Sequence, residues 1–492
     1  MNDSGRVVVI GTGPAGATAG VFLSRAGLDP LLLEAGSGRA ALGLTARIRG
    51  TTLAKLRPPI SRRKDLTMIG DPAAELFEEL APGGMSNHWS CAVPRFSPDD
   101  FADAARAGEA YTWPIGYEEL VPWYERVEPL LRIAGSDRDV RALPRGNVTT
   151  ATRLGPEWDA VTREAAADGR DVVAMPYAYG AETTLTRAAT PFNAFTRLVE
   201  PRVRAGKLEV RYRAHAVRLE WSPAERRVTA VVCCDPRTGS MTRIPCRAVV
   251  LAAGAVNSAQ ILMESATPDF PDGLGNSHDV LGRYLHDHPL AKLVVDLARF
   301  IPIATASYIT RPPLDRARPL YAAAFMQWSG TVALARTLLT GGRARQLGFS
   351  VFGTMVPTPE DRIVLDPSRK SKGRSALHFS LRYPEEAIRV LEQARDELLA
   401  LLARAGLEPR ERVFHIEPPG NSVHYGGTCR MHASPRFGVV DGACRVHGVP
   451  NVAVADSAVF TTGPEKNPVL TAMALAARAS HLLAQDVRSG DL

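Results

Sequence analysis

At 492 residues the chain exceeds one ordinary domain, and 45% apolar with 23% charged residues is the balance of a soluble globular protein with a large core. The net charge of +7 is small for the size and its Arg and Lys form no block with interleaved aromatics, which argues against nucleic-acid binding. No apolar run reaches the roughly eighteen residues of a membrane span, and the six cysteines show no CxxC pair and no disulfide or zinc spacing, which points to a reduced, cytoplasmic setting.

Val7–Ile10 is a short, wholly apolar run, as a buried parallel strand requires. Gly11, Gly13 and Gly16 interrupt the apolar N-terminus, so it resembles an export signal only superficially. Pro14 suits the first turn of a helix over residues 15–26, stopped by Gly27. A second apolar run, Leu31–Leu33, ends at Glu34, eighteen residues beyond Gly16. Strand, helix, strand and acid in this register make a βαβ dinucleotide-binding unit. Its glycines let the backbone turn tightly and approach a pyrophosphate, whose charge the helix N-terminus stabilises. Glu34 accepts hydrogen bonds from a ribose and repels a 2′-phosphate. The unit alone does not separate FAD from NAD.

Residues 37–71 are irregular and rich in Arg, Gly and Pro, open to reading as a lid, an oligomer arm or a cover for the cofactor. In the segment GGMSNHWSCAVPRF, Gly83 and Gly84 followed by small polar residues indicate a backbone pressed against a flat ligand. Residues 113–128 read as a helix opened by Gly116 and Tyr117. From Leu208 to Cys246 the pattern turns to strands separated by Ser222-Pro223 and by residues 235–239, a small antiparallel meander. Ala248–Leu251 is again wholly apolar and closes on Gly254, with a helix over 257–263. Such a strand belongs beside Val7–Ile10, so the nucleotide domain is discontinuous. Further strand-like runs fill residues 290–383, and Pro384 opens an amphipathic helix carrying Ile388, Leu391, Ala394, Leu398 and Leu402 on one face, ended by Gly406. Antiparallel strands plus helix predict a second, α+β domain inserted into the first.

The C-terminal stretch carries the chemistry. NSVHYGGTCRM is a glycine-containing loop centred on His424; two short strands, 439–441 and 452–456, return to the nucleotide domain; and Asn467-Pro468 precedes a long apolar helix over 469–483. An imidazole takes a proton at neutral pH, which makes His424 the candidate base, and the Asn467 amide suits holding a hydroxyl or capping the helix. Asp456 stands at a strand end, where a surface acid is the plain reading. His286-Asp287-His288 has metal-ligand residue types, but alternate residues of an extended loop point opposite ways and chelate poorly, so no metal is expected. No GxSxG elbow is present, which counts against a hydrolase.

Together these ordered signals (Gly11/Gly13/Gly16 with Glu34, Gly83-Gly84, AVVLAAGAVNSAQILMES, GRYLHDHP and the His424/Asn467 ending) resemble the glucose–methanol–choline (GMC) family of FAD-dependent oxidoreductases over nearly the whole chain. The GGMSNHW segment looks most like pyranose oxidases and bacterial glycoside oxidases, although Asn87 and Ser90 stand where Thr is commoner. The resemblance implies an α/β fold: a Rossmann-like FAD-binding domain from residues 1–100, 200–290 and 421–492, with residues 101–199 and 291–420 forming the inserted substrate domain on an antiparallel sheet. It implies FAD contacts from Gly11, Gly13, Gly16, Glu34, Gly83, Gly84, Ser86, Asn87, His88, Val217, Ala253, Gly254, Asp456, Asn467 and Pro468. His88 is then either bonded to the flavin 8α-methyl or packed against the ring. The implied reaction is oxidation of a secondary hydroxyl of a sugar or glycoside, an aminocyclitol glycoside included, by hydride transfer to flavin N5 with His424 as base and Asn467 holding the hydroxyl; O2 or another acceptor takes the electrons. Oxidation of a primary alcohol, of a sterol or simple alcohol, and a non-redox flavoprotein lyase are the alternatives.

Overall fold

The computed structural model describes residues 5–38, 60–179, 192–302, 306–312, 320–328 and 343–492. Most of the irregular stretch 37–71 therefore lies outside the described residues. Strand β1 (Val7–Ile10), helix α1 (Pro14–Arg25) and strand β2 (Leu31–Glu34) form as the sequence pattern dictates, with both strands completely buried. β1 pairs in parallel with β2 on one side and with Ala248–Leu251 on the other, and Val449–Val454 adds in parallel beyond that. The six-stranded order is Glu209–Tyr212, β2, β1, Ala248–Leu251, Val449–Val454, Arg445–Val446. These strands are apolar throughout because both faces are covered. α1 and the last helix, Val469–Ser489, pack together against it, with the Tyr117–Leu131 helix beyond.

The meander is shorter than its sequence pattern suggests. Arg213 takes a φ of +54°, and the amides of Arg213 and Ala214 bond to the carbonyls of Gly36 and Glu34. Glu209–Tyr212 is thereby held parallel to β2, and only His215–Ser222, Arg227–Cys234 and Met241–Pro245 make the antiparallel meander. Residues 439–441 form isolated bridges instead of a strand.

The second sheet runs in the order Arg410–Ile416, Leu290–Pro302, Arg343–Gly353, Ala323–Trp328, Ser307–Ile309, Val172–Ala174, every pairing antiparallel. Along Leu290–Pro302 the side chains alternate: Ala291, Leu293 and Val295 pack with Leu391, Ala394, Leu398 and Leu402 of the Glu385–Arg404 helix. Leu290 and Phe352 turn to the opposite face, toward the nucleotide domain. The sheet therefore roofs the space between the two parts. Leu66–Met68 pairs in parallel with Arg374–Ser380, so this early segment is stitched into the inserted part.

A buried charge cluster anchors the chain just ahead of the last helix. Lys466 is wholly buried; its Nζ lies 2.9 Å from both Asp100 oxygens and 2.8 Å from Glu465 Oε1. Arg311 joins Asp100, Asp103 and Glu465 from the second sheet's side. Breaking one member of such a group strands its partners in a low dielectric. Lys466→Met is expected to lower unfolding stability by about 3 kcal/mol, read as a shift of the urea midpoint.

Candidate active site

The nucleotide end of the site is built by close backbone approach. A β-carbon at Gly16 would lie 2.1 Å from the Gly11 carbonyl oxygen, so only glycine lets α1 start this near β1. A β-carbon at Gly13 would meet nothing within 4 Å; it faces open space. Glu34 is buried, and its carboxylate accepts from Thr12 Oγ1 and, at 2.7 Å, from the Gly36 amide. Burial raises its pKa. Thr12, a residue the glycine pattern treats as a spacer, also accepts from the Gly83 amide at 3.2 Å and so ties the Gly83-Gly84 segment to the first turn.

The predicted cofactor residues divide. Gly84, Ser86 and His88 line one continuous cavity with Gly11, Gly13 and Glu34. Gly83 and Asn87 are turned away from it: a β-carbon at Gly83 would lie 2.4 Å from Asn193 Nδ2, and Asn193 Nδ2 donates to Asn87 Oδ1 at 2.9 Å. Val217 is also off the cavity, buried against Gly373; Ala214, His215 and Ala216 line it instead, because the break at Arg213 shifts which residues face inward. Ala253 and Gly254 line it, as does Asp456, which is buried and not a surface acid. The Asp456 carboxylate accepts from the Gly254 amide (2.9 Å), Ser258 Oγ (2.7 Å) and the Ala458 amide (2.8 Å). It thereby ties two strand ends to the Ala255–Met263 helix.

The cavity, about 490 Å³, runs from this end to Asn421–His424, Asn467, Pro468, Lys292 and Phe352. Pro468 occupies the N-cap of the last helix, so Asn467 is not the cap; its Nδ2 lies 3.3 Å from His424 Nε2. An amide nitrogen only donates, so Nε2 of neutral His424 carries the lone pair and the ring proton sits on Nδ1. That Nδ1 lies 3.2 Å from His288 Nδ1, which then accepts. The two neighbours select the tautomer whose basic nitrogen faces Asn467. Burial, with the Lys292 charge adding to it, pushes the His424 pKa down to about 3, and burial lowers His288 further below the ordinary value. Both rings are neutral at working pH.

The loop carrying His424 is held by Asp287, which the sequence reading weighed as a metal ligand and, within the GRYLHDHP signal, as part of a family motif, without a role in holding this loop. Asp287, buried, accepts from Ser422 Oγ (2.5 Å), the Ser422 amide (3.1 Å) and the His424 amide (2.6 Å). Between those amides Val423 adopts a φ of +61°. A β-branched residue there costs roughly 1–3 kcal/mol, and the bonds to Asp287 offset it. His286 lies against Gly426 and His288 Nδ1 meets His424, while the Cδ2 edges of both rings approach Gly463. At the other wall His88 Nε2 lies 2.5 Å from Glu79 Oε2.

These residues fit FAD. The cavity is continuous, Gly13 leaves open space, and two helices, α1 and the last one, begin at its wall with no side-chain cap, which leaves backbone N–H groups for a pyrophosphate and for a flavin. Fold and site thus define a flavin-dependent oxidoreductase of alcohols. Models of the GMC oxidoreductase family match residues 99–290 and 357–476, and the chain belongs to that family: it is an FAD-dependent oxidoreductase acting on CH–OH groups. It is 27% identical to 2-methyl-1,2-propanediol dehydrogenase of Mycolicibacterium austroafricanum over 98% of this chain and 96% of that protein. It is 26% identical to 6'''-hydroxyparomomycin C oxidase of Streptomyces lividus over 97% and 91%, and 27% identical to C-glycoside 3-oxidase of Arthrobacter globiformis over 52% and 49%. Pyridoxine 4-oxidase from Mesorbium loti shares the fold, with a TM-score of 0.66 at 17% identity over 98% and 99%.

Burial pushes the Asp287 pKa up to about 6. Its carboxylate form, present above that pH, accepts the Ser422 and His424 amides; protonation removes acceptor capacity. The anaerobic rate of flavin reduction is therefore expected to fall as pH drops through about 6, and Asp287→Asn should remove that step and stay at the low plateau. A step that survives in the variant would assign it to another group.

Proposed function

We propose that this enzyme oxidises a secondary ring hydroxyl of a sugar or glycoside to the ketone. The observation that carries the reading is the pairing of His424 Nε2 with Asn467 Nδ2 at the end of a cavity continuous with the dinucleotide-binding turn. Bound FAD supplies the hydride acceptor. His424 Nε2 takes the hydroxyl proton as the same carbon loses its hydride, and the Asn467 amide holds the hydroxyl oxygen in line. Because His424 is neutral well below pH 7, it enters the reaction already unprotonated. The last helix, uncapped at Pro468, directs backbone N–H groups at the cavity wall and favours negative charge there. Relatives named for glycosides and aminoglycosides, including paromamine 6'-oxidase of Streptomyces fradiae at 25% identity, support a sugar substrate, and C-glycoside 3-oxidase supports a ring position.

A histidyl–flavin bond at His88 is part of the proposal. His88 lines the cavity and Glu79 engages Nε2, which leaves Nδ1 as the nitrogen for that bond.

Anaerobic mixing with a panel of sugars and glycosides is expected to bleach the oxidised flavin band. His424→Ala should slow bleaching by roughly 10²–10⁴-fold while FAD stays bound. Bleaching by sterols or simple alcohols alone would reject the sugar reading. Acid precipitation should carry the yellow colour into the pellet, and a His88→Ala protein should release it to the supernatant; free colour from the parent rejects the covalent link.

A further inference from the structure

We infer that Lys292 makes the substrate end of the cavity an anion subsite, so that the sugar oxidised there carries a carboxylate and not an ammonium group. The inference rests on the hydroxyl-oxidising reading of the same site.

The strand pleat places this lysine. Ala291 and Leu293, its neighbours, are buried on the helix-covered face, so Lys292 must project from the other face, the one that roofs the cavity. Ser350 stands opposite in the register, and Lys292 Nζ donates to its Oγ at 2.8 Å. An ammonium has three N–H donors, and no carboxylate of the described residues lies within ion-pair distance of this one. Glu417 acts on Lys292 from farther off and stands 4.0 Å from His415. Burial lowers the Lys292 pKa, the mark of a cation short of compensation.

The other formal charges of the cavity are already committed. Glu34 and Asp456 bind backbone amides at the nucleotide end, Arg63 pairs with Asp65, Arg374 donates to the Ala216 carbonyl with the Glu78 carboxylate acting on its charge, and Glu79 holds His88. Beside His424 the residues that line the cavity are neutral, Phe352, Asn467, Asn421 and Ser422, and the Asp287 carboxylate, off the cavity lining, is taken up by the Ser422 hydroxyl and by the Ser422 and His424 amides. Among the described residues that line the cavity, Lys292 is therefore the formal charge beside His424. A carboxylate supplies both the missing charge and the acceptors for the remaining N–H donors, whereas an aminosugar sets two cations together where water is scarce.

The test uses methyl glucosides identical except at C6: the uronate, the parent alcohol and the 6-amino-6-deoxy sugar. Calorimetric titration of the FAD-loaded full chain in the His424→Ala background, where turnover does not consume the ligand, gives three dissociation constants. The uronate is expected to bind at least about tenfold tighter than the alcohol and more so over the amine. Lys292→Met should compress the series to within about threefold, Lys292→Arg should keep the order, and Lys292→Glu should favour the amine. Equal affinities in the Lys292 protein, an amine preference, or a series unchanged by Lys292→Met overturns the inference. The two readings separate in the His424 protein: tight uronate binding without flavin bleaching keeps the subsite and removes the oxidation proposal, while bleaching by all three sugars alike does the reverse.

Discussion

The structure depends on two helices that begin at one cavity without side-chain caps. The opening N–H groups of a helix need acceptors, and α1 and the last helix have none from their own side chains. Each is buried on its way into that wall, α1 by the short step from Gly11 to Gly16 and the last helix by the Lys466 cluster. Anionic groups satisfy such ends at both extremes of an elongated ligand, so the cofactor completes the hydrogen bonding that the fold leaves open.

The loop that carries His424 is arranged on the same logic of enforced geometry. His424 follows a valine in the left-handed region, and that backbone is stable because one buried carboxylate grips the amides on either side of it. His288, next to that carboxylate in the chain, turns to the imidazole itself. Asp287 and His288 thus divide the work, one holding the loop and the other the ring tautomer. The roofing sheet adds Phe352, 5.8 Å from the His424 ring, so that imidazole sits between an aromatic ring and an amide.

Much of the fold was legible in the sequence because local rules and tertiary placement agree. The β1–α1–β2 unit, the Ala248–Leu251 strand, the Pro384 and Pro468 helix starts and the antiparallel second sheet all follow from periodicity and from Gly and Pro positions. The reading erred where a single backbone torsion decides direction. Arg213 in the left-handed region splits one apparent strand in two, and Val217 falls outside the cavity in consequence. Asn87 sits in a polar segment as expected, but its partner is Asn193, more than a hundred residues away, which no local pattern announces. Asp287 and His288 stood in plain view as an alternating triplet. Their roles depend on Ser422 and His424, brought to them from the far end of the chain.

The central sheet takes its strands from residues 7–10, 31–34, 209–212, 248–251, 445–446 and 449–454, and helix α1 and the last helix pack on each other. Neighbouring strands are thus joined by connections of very unequal length. The glycine turn and the two pieces that close its pocket, Val449–Val454 and the 469–489 helix, come from opposite parts of the chain, so the flavin has no finished seat until they meet.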